Sequence, residues 1–148
     1  MTLKCVPFDS LTVRELYDIM ALRQAVFVVE QNCPYLDADG KDLEGWHFML
    51  FNTEGVLAAY TRLLPKGVSY DNYASIGRVV SASHARGTGA GKAVMEESIK
   101  QMAILYPNQP VKIGAQSYLL KFYESLGFES TGEEYLEDNI PHTSMILK

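Results

Sequence analysis

One stretch constrains this chain more than any other: Arg86-Gly87-Thr88-Gly89-Ala90-Gly91-Lys92, between a predicted strand and a predicted helix. The strand runs from Tyr73 to Val80, with Ile76, Val79 and Val80 as β-formers. The helix carries an apolar stripe of Met95, Ile99, Met102 and Tyr106 and stops at Pro107. A helix start offers unpaired N–H donors and the positive end of its dipole. Glycines let backbone approach a ligand closely and take positive φ. Three at alternate positions, beside Arg86 and Lys92, suit phosphate oxygens better than a plain strand-to-helix corner. A Walker loop is excluded, because it needs Gly where Arg86 stands and Ser or Thr where Ala93 stands. A dinucleotide fingerprint needs Gly at position 92 or 94, and these are Lys and Val.

The rest of the chain alternates around this turn. A strand is expected at the N-terminus, then a helix from Leu11 to Val29, capped by Ser10 or Asp9, with Leu16, Ile19, Met20, Arg23 and Phe27 at helical spacing. Gln31 to Glu44, with Pro34 and Asp39-Gly40, reads as a loop. Trp46–Phe51 and Val56–Leu64 form a predicted hairpin around Asn52-Thr53-Glu54-Gly55. Val111–Ala115 is a short strand, and Tyr118–Leu126 a short helix closed by Gly127. Phe128–Thr131 and His142–Leu147 read as strands separated by an acidic stretch. The order implies a mixed α/β fold around one sheet. The 148 residues make one expected domain, 1–148.

Charge narrows the function. Thirteen basic against eighteen acidic residues leave a net charge of −5, which argues against a nucleic-acid or anionic-membrane binder. No apolar run approaches the ~20 residues that span a bilayer. The start lacks a basic-then-apolar signal region, and Cys5 and Cys33 are expected as reduced thiols, so a cytoplasmic location is expected. Between Asn72 and Met95 there is no acidic residue, only Arg78, Arg86 and Lys92, a positive island suited to an anion. Glu30–Glu54 and Glu124–Asp138 are strongly acidic; they either border a cationic acceptor or form a solvated surface. No His/Cys spacing suggests zinc, and Asp37-Ala38-Asp39-Gly40 does not follow a calcium loop, so no metal is expected.

The pattern that fits the glycine turn is Arg/Gln-x-x-Gly-x-Gly/Ala, which resembles the pyrophosphate loop of the GNAT superfamily of N-acetyltransferases. A second stretch, Gln116-Ser-Tyr-Leu-Leu-Lys-Phe-Tyr123-Glu-Ser-Leu-Gly-Phe128, is similar to that family's second CoA-side motif, Asn-x-x-Ala-x-x-x-Tyr followed by Leu-Gly-Phe. Gln116 replaces its Asn, and Leu119 its Ala. Leu22–Tyr35, Asp39-Gly40-Lys41-Asp42 and Glu137–His142 resemble the ElaA-type subgroup.

The resemblance implies a GNAT-like fold, one central mixed, mostly antiparallel sheet flanked by helices. It implies transfer of an acetyl group from acetyl-CoA to a primary amine of a small molecule or peptide. No activated Cys or Ser is apparent, so direct attack in a ternary complex is expected. A non-catalytic CoA-binding sensor or regulatory module is the alternative. The cofactor would meet Val79, Val80 and Ser81 through their backbone, and then Arg86, Gly87, Thr88, Gly89, Ala90, Gly91, Lys92, Gln116 and Tyr123. Tyr123 is the candidate acid for the leaving thiolate. His142, His47 and Glu30 are candidate bases. The apolar final strand suggests pairing with a second subunit, a possible homodimer.

Overall fold

The computed structural model describes all 148 residues. Seven strands form one sheet: β1 (Thr2–Pro7), β2 (Trp46–Phe51), β3 (Leu57–Leu64), β4 (Ala74–Ser81), β5 (Val111–Gln116), β6 (Glu129–Glu137) and β7 (Ile140–Leu147). Their order is β1-β2-β3-β4-β5-β7-β6, and every neighbouring pair is antiparallel except β4–β5. Three α-helices flank it: α1 (Val13–Arg23), α2 (Ala90–Leu105) and α3 (Leu120–Ser125). This is the mixed α/β, mostly antiparallel architecture expected above.

Period-two alternation distributes the core to both faces of the sheet. Phe48, Leu50, Ala59 and Leu63 pack with Val94, Met95 and Met102 of α2, while Met49 and Tyr60 pack with Ile19 of α1. Every residue of β3 is therefore buried. No helix is long and apolar enough to cross a membrane.

Several boundaries differ from the sequence reading for local reasons. Thr12, not Ser10 or Asp9, caps α1: its side chain accepts from Glu15 N at 3.0 Å, and Glu15 Oε1 accepts from Thr12 N at 2.9 Å. The first helix continues past Arg23, but as a π-helical segment from Gln24 to Glu30. The acidic stretch before His142 is a strand, not a loop. β6 turns into β7 through Asp138 and Asn139, both at positive φ, a two-residue connection that suits hairpin twist. β7 has β5 on one side and β6 on the other, so it has no free edge for the second subunit expected above.

β4 and β5 position the site. They pair only at Ala74–Val111 and Ser75–Lys112, then part. On its other edge β4 carries a bulge: Tyr60 faces Val80 and Arg62 faces Gly77, leaving Arg78 and Val79 as the irregular pair. Arg78 sits there with φ 49°.

Candidate active site

The parting of β4 and β5 opens a groove of about 1080 Å³. Its walls include Val79, Val80, Ser81, Arg86, Gly91, Gln116 and Tyr123, together with Glu30 and His142. These residues span positions 30 to 142.

At one end the glycine turn contributes Arg86 and Gly91 to the walls, while Gly87, Thr88, Gly89, Ala90 and Lys92 stand outside the lining. Gly87 and Gly89 have φ 80° and 85°, and a Cβ at either would meet nothing within 4 Å. Gly89 is the N-cap of α2, and no side chain caps that helix. The Thr88 hydroxyl instead donates to the Ala85 carbonyl. A Cβ on Gly91 would stand 3.1 Å from Ser81 Oγ, so glycine lets the first turn of α2 settle against the end of β4. Ala90 is buried behind the turn.

The positive island is compensated locally. Arg86 forms a two-pronged pair with Glu30, at 2.5 and 2.9 Å. The hydrogen bond and charge of Arg86 hold the Glu30 carboxyl below its ordinary value. Lys92 lies on the exposed side of α2, 3.9 Å from Glu96. Arg78 turns toward Asp37 and Asp39. What this turn offers an anion is therefore backbone N–H groups and the helix dipole more than net side-chain charge.

Tyr123 sits on α3 in the groove wall, its ring edge-on to Phe122 at 5.1 Å and Phe128 at 6.0 Å. Burial pushes its hydroxyl up to about 12. Gln116 ends β5, and its Nε2 donates to Gln31 Oε1 at 3.4 Å. His142 lies opposite Gln116 across β5–β7 and opposite Tyr135 across β6–β7, stacked on the Tyr135 ring at 5.5 Å. Its Nδ1 is 2.7 Å from the Ile140 carbonyl. A carbonyl only accepts, so Nδ1 carries the proton and Nε2 is the basic nitrogen. Nε2 lies 3.6 Å from Glu137 Oε2.

His47 is placed elsewhere. It is 1% exposed and does not line the groove. Its Nε2 meets the Asp42 carbonyl at 2.9 Å, and its Nδ1 meets the Tyr60 hydroxyl at 2.7 Å. Both nitrogens are occupied, and burial holds its pKa down. Its geometry is that of a structural histidine.

The first acidic stretch also reads differently in three dimensions. Asp37, Asp39 and Asp42 are engaged by three arginines. Arg23, 0% exposed, reaches Asp37 at 2.7 Å and Asp42 at 2.6 Å. Arg62 reaches Asp39 at 2.8 Å and Asp42 at 3.0 Å. Burial raises the Asp39 and Asp42 pKa values, but hydrogen bonds and charge from these arginines outweigh it and hold both carboxyls below the usual range. These aspartates are therefore not free to attract an acceptor. In the second acidic stretch, Glu137 and Asp138 do line the groove.

Sequence reasoning missed the far half of the groove, where Tyr35, Tyr70 and Tyr135 stand. A Cβ at Gly114 of β5 would collide with the Tyr135 hydroxyl, so glycine makes room for that ring. Gly77 and Gly114, each inside a strand, were the available signals, because strand glycines mark bulges and close approach.

The family model described as an acetyltransferase (GNAT) domain matches residues 35–148. Protein ElaA of Escherichia coli is 42% identical over 139 residues, covering 93% of this chain and 90% of that protein. Its crystal structure superposes with a TM-score of 0.91 at 37% identity over all of both chains. An acyl-CoA N-acyltransferase from Pseudomonas aeruginosa superposes with a TM-score of 0.92 at 41% identity, again over all of both chains. The chain belongs to the GNAT acetyltransferase family. It is an N-acetyltransferase, of the family whose acyl donors are CoA thioesters.

Proposed function

We propose that this enzyme moves an acetyl group from acetyl-CoA to a primary amine, on a small molecule or a peptide, by direct attack in a ternary complex. One observation carries the reading: a single groove joins an uncapped helix start to Tyr123 and His142 through the gap between β4 and β5. The residues fit the carrier. Open space beside Gly87 and Gly89 leaves room for a diphosphate, and the parted strands leave room for a pantetheine arm.

Bound acetyl-CoA supplies an acyl carbon activated as a thioester. Backbone N–H groups from Gly87 to Gly91 hold its diphosphate, flanked by Arg86 and Lys92. The backbone of Val79, Val80 and Ser81 faces the arm and the acyl oxygen, where N–H groups stabilise growing negative charge. Gln116 frames the opening with Gln31. His142 Nε2 takes the proton that the acceptor ammonium must lose before its nitrogen can attack. A nitrogen–carbon bond forms and the carbon–sulfur bond breaks; the sulfur receives the Tyr123 hydroxyl proton, and the proton that the new amide nitrogen sheds restores the Tyr123 phenol. Glu30 belongs to the phosphate side through Arg86, and His47 to the core.

A thiol-release screen of acetyl-CoA against amines, polyamines, amino acids and peptides tests this directly. Tyr123→Phe should lower turnover of the best acceptor about a hundredfold while acetyl-CoA affinity by calorimetry stays within about twofold. A chain that binds acetyl-CoA and releases thiol to no amine is a sensor, and the reading fails.

A further inference from the structure

The bulge in β4 holds a local contradiction. Its left-handed residue is Arg78, at φ 49°, although a glycine stands one position earlier without taking that conformation. A left-handed non-glycine residue is strained and persists only where its surroundings fix it. Here they do. Arg78 Nε lies 2.8 Å from Asp37 Oδ1, too oblique for a hydrogen bond but a close ion pair. Its Nη2 donates to the Asp37 carbonyl at 3.2 Å and reaches Asp39 Oδ2 at 3.3 Å. The guanidinium lies 5.9 Å from the Tyr35 ring centre. The other Asp37 oxygen is held by Arg23. The bulge is thus braced to α1 through Asp37.

We propose that Arg78 is a positioning residue for acyl transfer: its clamp on Asp37 and Asp39 holds the β4 bulge, and so aims the backbone N–H of Val79 into the groove, whereas the next residue, Val80, is paired with Tyr60 of β3. This rests on the reading given under Proposed function. The phosphate-binding end lies at the other side of β4, beyond Ser81, so the clamp sets the acyl end and leaves carrier affinity nearly untouched.

Three variants separate this from other roles: Arg78→Ala, Arg78→Gly and Arg78→Lys, each checked for folding by thermal melting. Alanine loses the clamp and keeps the strain. Glycine loses the clamp and the strain together. Arg78→Ala should lower kcat about a hundredfold, as small misplacements of reacting groups do, with Arg78→Gly recovering at least about tenfold of that loss and Arg78→Lys lying between alanine and wild type. CoA affinity by calorimetry should stay within about threefold throughout. In ¹⁵N spectra, acetyl-CoA should shift the Val79 amide in the wild type and the glycine variant, and much less in the alanine variant. Wild-type kcat in Arg78→Ala overturns the proposal. So does equal impairment by alanine and glycine with both amide shifts retained, because the guanidinium would then touch the substrate itself. A wild-type protein that binds no CoA overturns the underlying reading, and this proposal with it.

Discussion

At the scale of single residues, Tyr123 as the proposed proton donor sets the form expected of the pH profile. Burial pushes its phenol up to about 12, so it keeps its proton throughout the neutral and mildly alkaline range. A proton donor is lost only as pH rises through its own pKa. Initial rates of thiol release should therefore climb with pH as the acceptor amine loses its proton, then level off with no fall through pH 10. A decline beginning near pH 8 or 9 would remove Tyr123 as the donor. The place of Tyr123 in the groove wall was legible in the sequence through its motif, but the two histidines were not separable there. His47 and His142 both stand in expected strands. What distinguishes them is the partner of each nitrogen: a carbonyl and a buried hydroxyl for His47, one carbonyl and the exposed Glu137 carboxylate in the groove wall for His142. Those partners come from residues of other elements, which local pattern does not report.

At the scale of elements, segment 35–44 works as a brace rather than an acidic surface. It ties α1, β3 and β4 together through three arginines and three aspartates. Asp37→Ala leaves Arg23 buried with part of its charge uncompensated, and breaking such a pair costs about 3–5 kcal/mol. For a chain of this size that lowers Tm by roughly 10 °C, and thermal melting checks it. A change under about 2 °C would show that the network carries no stability. Asp39 and Asp42 have lowered pKa values, so folding favours their charged forms. Their contribution is complete above the unfolded value of about 3.9 and is lost as pH falls through the lower folded values. The sequence showed this segment's charge but not its pairing, because Arg23, Arg62 and Arg78 lie in elements far along the chain. The β6–β7 hairpin was hidden for a different reason. Glutamates are poor strand formers, yet β6 is an edge strand, mostly exposed, where they face water at little cost. The left-handed pair Asp138-Asn139 was its one local signal.

At the scale of the whole molecule, the groove follows from two parallel strands that pair at two positions and then separate. Each half of the groove has a readable end, the glycine turn on one strand and the Tyr123 helix after the other. The gap between them is a property of strands more than thirty residues apart and left no mark in either segment alone. The most direct measurement is a crystal structure with CoA bound. The expected result is a diphosphate on the N–H groups of residues 87–91, with the pantetheine arm passing between β4 and β5 toward Tyr123. A diphosphate seated elsewhere, or an arm that bypasses the gap, would contradict it.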